Sequence, residues 1–218
     1  MSEAADDGDG GDDSFDPKAA AEEAGVDLSA VPDWEDEYLD RVSDRLMFNY
    51  DLEKDRSVRG ERFDLFGEMR IESEKRFFHP ALNYANHETR EFLFARRVPT
   101  ATRAELERLV DLGHELAEEW VEADEEHFGT DFTFVLVADA VPEDVRAFVA
   151  EFSDRTLLKF GYYGHYEVNL AVVAPEAEDA VASEGADAAR AFTLWDDVDP
   201  TAGSGRGVVG RLLDRLRR

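Results

Sequence analysis

Asp64 and Glu68 stand four residues apart in the stretch Gly60-Glu61-Arg62-Phe63-Asp64-Leu65-Phe66-Gly67-Glu68. An acid held within an apolar strand beside glycine is one way a metal-dependent hydrolase presents a ligand. Paired carboxylates hold the ion, and the ion activates a water for attack. The competing reading of Asp64 is a carboxylate at the sheet surface paired with a nearby arginine, and single-acid patterns favour it. A divalent metal is also the chemistry open to His79, His87 and Glu88, because neutral imidazole ligates readily. Their spacing is not the i, i+4 pair that one helix face supplies. A polar loop whose Asn and His side chains satisfy turn backbone is the preferred alternative. With Asn83 and Tyr84 between the histidines, residues 79–88 are still the first choice for a functional surface in a chain whose exterior is mostly plain acid.

A third segment, Lys159-Phe160-Gly161-Tyr162-Tyr163-Gly164-His165-Tyr166, sets aromatics around a glycine turn beside a lysine and a histidine. Lys159, Tyr162, Tyr163 and His165 could stack a planar ligand or meet a partner. The alternative is a hairpin whose aromatics cover a sheet edge. Residues 207–218 carry Val208, Val209, Leu212, Leu213 and Leu216 on one helical face and Arg211, Arg215, Arg217 and Arg218 on the other. A basic amphipathic helix of this kind docks on its own acidic domain, on a protein partner or on an anionic membrane surface.

Other chemistry is bounded by composition. The chain of 218 residues has no cysteine, which excludes disulfides, thiolate metal sites and a cysteine nucleophile. Gly203-Ser204-Gly205-Arg206-Gly207 lacks the strand and the Lys-Ser/Thr ending of a phosphate loop. Asp plus Glu number 52 against 24 Lys plus Arg, a net charge of −28. That balance argues against nucleic acid. It suits concentrated salt, where the Debye length shrinks to ~3 Å and self-repulsion is screened. No signal peptide and no apolar run of membrane-spanning length is found, so a cytoplasmic location is expected.

The elements that must position these residues follow from periodicity. Residues 1–30 are acidic and poor in apolar side chains and are read as a disordered tail. Asp33 is the expected cap of a first amphipathic helix, with Trp34, Tyr38, Leu39, Val42 and Leu46 inward. Strands are expected at Phe63–Ile71, Lys75–His79 and Glu91–Val98. Thr102 caps a long helix with Leu106, Leu109, Leu116 and Trp120 on its apolar stripe. Phe132–Ala138 is nearly all apolar, the mark of a strand buried on both faces. A helix from Pro142 and strands at Thr156–Phe160 and His165–Val173 complete the set. The order is helix, three strands, helix, strand, helix, two strands: an α/β (or α+β) domain on one mixed sheet over 31–175. Residues 176–206 are expected to be a flexible acidic linker, with a local anchor at Phe192, Leu194 and Trp195.

The segments Tyr50-Asp51-Leu52, Phe63-Asp64-Leu65-Phe66-Gly67, His79-Pro80-Ala81-Leu82, His87-Glu88 and Phe160-Gly161-Tyr162-Tyr163-Gly164-His165 resemble an uncharacterised haloarchaeal protein family. The resemblance covers about residues 34–183. It implies a salt-adapted archaeal source and a domain of unknown function, and it brings no catalytic residue. The helix, three strands, helix, strand order over about residues 34–138 also resembles the restriction-endonuclease-like core. That resemblance implies an Asp, met by Asp64, and a Glu-x-Lys on the next strand, which is missing. It points to a degenerate core. The expectation is a non-catalytic interaction or regulatory module without a cofactor. The alternative is a metal-dependent hydrolase or nuclease.

Overall fold

The first helix does not begin where Trp34 suggests, because Trp34 is used elsewhere. In the computed structural model the protein is described over residues 27–74, 86–124 and 126–196, with Ala19, Glu23 and Gly25 besides. The Trp34 indole N–H donates to the Asp64 carbonyl at 2.8 Å, so its ring is fixed against the sheet before the helix starts. Asp36 is the cap instead, accepting from the N–H groups of Tyr38 and Leu39, and helix α1 runs Glu37–Leu46.

Strands β1 (Asp51–Val58), β2 (Glu61–Glu74) and β3 (Asn86–Arg97) form an antiparallel meander. The count of three strands matches expectation through different members. β1 was not foreseen, and Lys75–His79 lies outside the described residues. Thr102 caps α2 (Arg103–Trp120), accepting from the Glu105 N–H. β4 (His127–Val137) follows, then α3 (Glu143–Glu151), β5 (Asp154–Leu157), β6 (His165–Ala174) and β7 (Asp179–Ala182). The sheet order is β1-β2-β3-β4-β6-β5. β3, β4 and β6 are mutually parallel. β5 pairs with the first residues of β6 and β7 with the last, so both lie on the edge of β6 that faces away from β4. This is the mixed-sheet α/β domain expected, with one strand more.

Each face of the sheet has its own core. Even-numbered residues of β3, β4 and β6 pack under α2 and α3, and odd-numbered ones face α1 and a 3-10 turn over Asp187–Phe192. Under α2 the phenylalanines form cross-strand files: Phe92 opposes Phe132 and Phe94 opposes Phe134, with ring centroids 5.4 and 5.0 Å apart. Stacked pairs of this kind add about 0.5–1.5 kcal/mol each beyond area burial. Phe132–Ala138 is buried on both faces, as its composition requires. The alternation of β2 breaks at Asp64: Phe63 and Phe66 join the α2 core and Leu65 the α1 core. The β1–β2 register passes from Lys54–Leu65 to Arg56–Phe63 without pairing Asp55 or Asp64, and Asp55 has a left-handed φ of 57°, the local twist that lets the strand change face.

The linker expected over 176–206 is corrected as far as Asp196. β7 pairs with β6, and Phe192 is fully buried against α1. Ala, Asp and Glu disguised this segment: its apolar content is small, and it packs through Ala186, Ala188, Ala189 and Ala191 around one large ring. Residues 207–218, the expected basic helix, and most of the acidic N-terminal segment lie outside the described residues.

Candidate functional site

The odd-numbered face of the three parallel strands changes character along its length. Toward the C-terminal ends it is apolar: Leu93, Ala95, Val135, Val137, Ala171 and Val173. Toward the N-terminal ends it carries Glu91, Asp131, Thr133, His165, Glu167 and Asn169. Strand register aligns these side chains in rows. Glu91 is opposite Asp131, and Asp131 is opposite Glu167, whose partner on β5 is Arg155. Three acids thus lie side by side at the ~4.8 Å strand spacing, about 10 Å from end to end. One step along, Thr133 is opposite Asn169.

Two glycines on this face let rings come close to the sheet. A methyl group at Gly67 would come 3.1 Å from Tyr50 Cδ1, and one at Gly129 would come 3.2 Å from His165 Cε1. Tyr50 and His165 therefore border the acid row. The Tyr50 hydroxyl donates to Glu91, and Thr133 Oγ1 donates to Glu91 Oε1 at 3.1 Å. Glu91 is only 5% exposed. Burial pushes its carboxyl up to about 6, against the two hydrogen bonds that favour the ionised form, and the charge of Asp187 adds to the rise. Burial, joined by the negative charge of Glu91, also drives the Tyr50 phenol well above its ordinary range.

At the other end of the row, an Arg155 guanidinium N–H donates to His165 Nδ1 at 3.2 Å. Guanidinium cannot accept, so Nδ1 is the acceptor and the ring proton sits on Nε2. That Nε2 faces Glu167 Oε1 at 3.5 Å, and Arg155 Nη1 is 3.4 Å from the same oxygen. Asn169, 4% exposed, packs its Oδ1 against Gly185, while its Nδ2 has no hydrogen-bond partner among the described residues.

Beside this floor the β5–β6 connection projects into solvent. Leu157, Phe160 and Tyr162 are 58, 96 and 86% exposed, and they are the large apolar side chains so exposed among the described residues. Lys159 and Phe160 both hold left-handed backbone, φ 47° and 61°. For a residue with a Cβ that costs about 1–2 kcal/mol each. The shape is held by hydrogen bonds from Leu158 N–H to Gly164 O and from Tyr163 N–H to Leu158 O. His127 completes it: Nδ1 donates to the Tyr163 carbonyl at 2.7 Å, which leaves Nε2 to accept from the Thr130 hydroxyl at 3.0 Å.

Of the residues singled out in the sequence, Lys159, Tyr162, Tyr163 and His165 share this end of the sheet with Glu88, since β3 and β6 flank β4 and start level with it: Glu88 pairs with His127 and His165 with Gly129. Glu88 binds Arg90 at 2.5 Å and Arg70 at 3.2 Å. The His87 backbone pairs with Ser73. His79, Asn83 and Tyr84 lie outside the described residues. Asp64 and Glu68 do not converge. They are separated by about 13 Å along β2, and Ser73 is about 30 Å from Asp64. Asp64 Oδ2 accepts from the Arg97 N–H at 2.7 Å, while Glu68 lies 3.7 Å from Arg70. Among the described residues no three His, Asp or Glu side chains gather as a metal site would require.

The sequence reading missed Tyr50, Glu91, Asp131, Thr133, Glu167 and Asn169. The signal was present in Glu91 directly before Phe92-Leu93-Phe94 and in Glu167 and Asn169 alternating with Val168 and Leu170, polar residues at period two inside strands otherwise apolar.

These features define the class: a single mixed-sheet α/β domain with a polar floor on one face of its parallel strands. The chain belongs to the family described as a domain of unknown function (DUF8052), whose model matches residues 35–194. The match ends at Leu194, within the segment that packs Phe192 against α1. Comparisons with curated proteins and with solved structures give no match.

Proposed function

We propose that this domain is a non-catalytic binding module that docks on a protein partner through the Leu157–Tyr162 turn. The observation that carries it is the exposure of Leu157, Phe160 and Tyr162 within six residues, two of which sit in strained backbone. Apolar surface gathered on a loop marks an interaction site. Strain kept on a loop, with Phe160 turned outward, serves presentation better than stability. Lys159, exposed and without a partner among the described residues, gives the turn a positive tip in a chain of net charge −28. The partner that fits is a protein surface with an apolar pocket for Phe160 and an acidic rim for Lys159. The excess of acid suits the salt-rich cytoplasm of a haloarchaeon, where screening shortens the reach of charge and leaves apolar docking as the main attraction. No helix among the described residues is long and apolar enough to cross a membrane.

The experiment places a photo-crosslinking phenylalanine analogue at position 160 of the full chain, and at Glu107 as an exposed control on α2, in cells that carry the protein. A discrete adduct at 160, absent at 107 and lost with Tyr162→Ala, is expected. Equal labelling at both positions, or none at 160, rejects the reading.

A further inference from the structure

A groove of about 660 Å³ opens where β3 and β6 end and α1 begins, away from the turn at 157–162. Its apolar lining is Leu194, Trp195, Pro175 and Tyr38, all half-buried. The Trp195 ring meets no other ring and no cation among the described residues. Around this lining Asp36, Glu37, Glu176 and Glu178 stand against Arg41 and Arg97, so negative charge is in excess. Asp36 and Arg97 bind each other, and Arg97 also lies over the Tyr38 ring at 5.4 Å. The carboxylates of Glu37, Glu176 and Glu178 are exposed and make no ion pair or hydrogen bond among the described residues. The groove therefore offers an apolar wall with an acidic border, and a basic amphipathic segment has the matching pattern.

We infer that this groove is the docking site of residues 207–218 of the same chain. The path is short. Trp195 lines the groove, and the ten residues 197–206 separate its neighbour Asp196 from Gly207. Ten residues reach at most about 33–36 Å, ample to bring the segment back to the wall from which it leaves. A segment tethered so closely meets the groove at an effective concentration of about millimolar, an advantage that a separate partner lacks. The chemistry matches on both counts. Arg211, Arg215, Arg217 and Arg218, with Asp214 the single acid among residues 207–218, complement Glu37, Glu176 and Glu178. Val208, Val209, Leu212, Leu213 and Leu216 recur at helical spacing and supply an apolar face for Leu194 and Trp195. The open Trp195 ring also accepts a guanidinium over its face. In concentrated salt the apolar contact holds the segment, and the charges fix its orientation.

The chain has no cysteine, so Asp214→Cys gives the full chain a single attachment point for a nitroxide label. The readout is paramagnetic broadening of the indole signals in nitrogen–proton spectra. Broadening of Trp195 is expected, while Trp120, which packs in the core on the other face of the sheet, stays sharp. Dilution leaves the effect unchanged, because the contact lies within one chain. Glu176→Lys combined with Glu178→Lys weakens docking about fivefold to tenfold, as attraction at two exposed pairs becomes repulsion. A sharp Trp195 signal in the labelled chain overturns the inference, whether the segment then binds another protein or an anionic vesicle. So does broadening that fades on dilution, the mark of a second copy, or equal broadening of Trp195 and Trp120. Broadening that charge reversal leaves unchanged overturns it as well. The labelled chain with its groove unaltered decides the matter even where the charge-reversed variant fails to fold. The crosslink at position 160 is a separate readout, so failure of either proposal leaves the other standing.

Discussion

Tyr50 donates its hydroxyl to Glu91 across β2, over the one position on that strand where a glycine leaves room for its ring. The pair joins the loop after α1 to the central strands. It also gives a carboxyl buried to 5% exposure a partner that cannot neutralise it. Its pKa is accordingly raised from 4.5 to about 6.

A raised carboxyl has a definite sign in a stability curve. Between about 4.5 and 6 the folded protein holds a proton that the unfolded chain has released, so Glu91 lowers stability as pH rises through that window. The loss is complete above it and reaches about 2 kcal/mol. Asp36, hydrogen-bonded to Arg97 and held below its ordinary range, acts oppositely: its contribution is lost as pH falls. The useful readout is therefore the difference between native protein and Glu91→Gln in denaturant unfolding. That difference should move in favour of the variant from pH 4 to pH 7. A constant difference across this range would mean that Glu91 is not buried as a free acid.

Gly67 is the spacer on which Tyr50 depends. Gly67→Ala puts a methyl group 3.1 Å from Tyr50 Cδ1 and 3.2 Å from Leu52 Cδ2 in a buried layer. Overpacking of this kind costs about 1–3 kcal/mol. The expected signature is a drop in the denaturation midpoint that becomes smaller when Tyr50→Ala is combined with it, because the Tyr50 ring is gone while the contact with Leu52 remains. Additive losses in that double-mutant cycle would place the strain elsewhere.

At the exposed turn stability and binding should part company. Phe160→Gly removes a left-handed residue with a Cβ, φ 61°, together with 96%-exposed apolar surface. Relief of the backbone strain should raise unfolding free energy by about 1 kcal/mol. Because Phe160 is the projecting ring, the same variant should lose partner binding, read as failure to compete with native protein for the crosslinked partner. Loss of stability would show that the ring packs at home rather than abroad.

The sheet core was legible because its residues obey one period. The phenylalanines of β3 and β4 and the stripe of α2 announce their faces, and Thr102 announces its helix. β1 escaped because Asp-Leu-Glu-Lys-Asp-Arg-Ser-Val offers only Leu52 and Val58 to the cores, and an edge strand needs no more. Its hairpin turns on Arg59-Gly60, both with positive φ, where Asn-Gly would have been recognised. The floor was hidden for another reason. Its rows exist only through the register of β3, β4 and β6, and Glu91, Asp131 and Glu167 lie 40 and 36 residues apart in the chain. No local pattern carries that alignment.

Phe192 tests the correction that matters most to the domain limits. The segment after β6 has the composition of a linker, yet Phe192 is fully buried, and its carbonyl accepts from the Tyr38 hydroxyl at 2.6 Å. Arg45 of α1 donates to the carbonyls of Thr193 and Asp196 at 3.0 and 3.1 Å. α1 therefore depends on this segment for both apolar cover and hydrogen bonds. Phe192→Ala should cost about 3–5 kcal/mol in denaturant unfolding, the range for deleting a buried ring. Arg45→Ala, at a half-exposed position, should cost less. Phe192→Tyr would place a hydroxyl in that core and should fall between them. A silent Phe192→Ala would return residues 176–196 to the status of a linker and leave α1 without its cover.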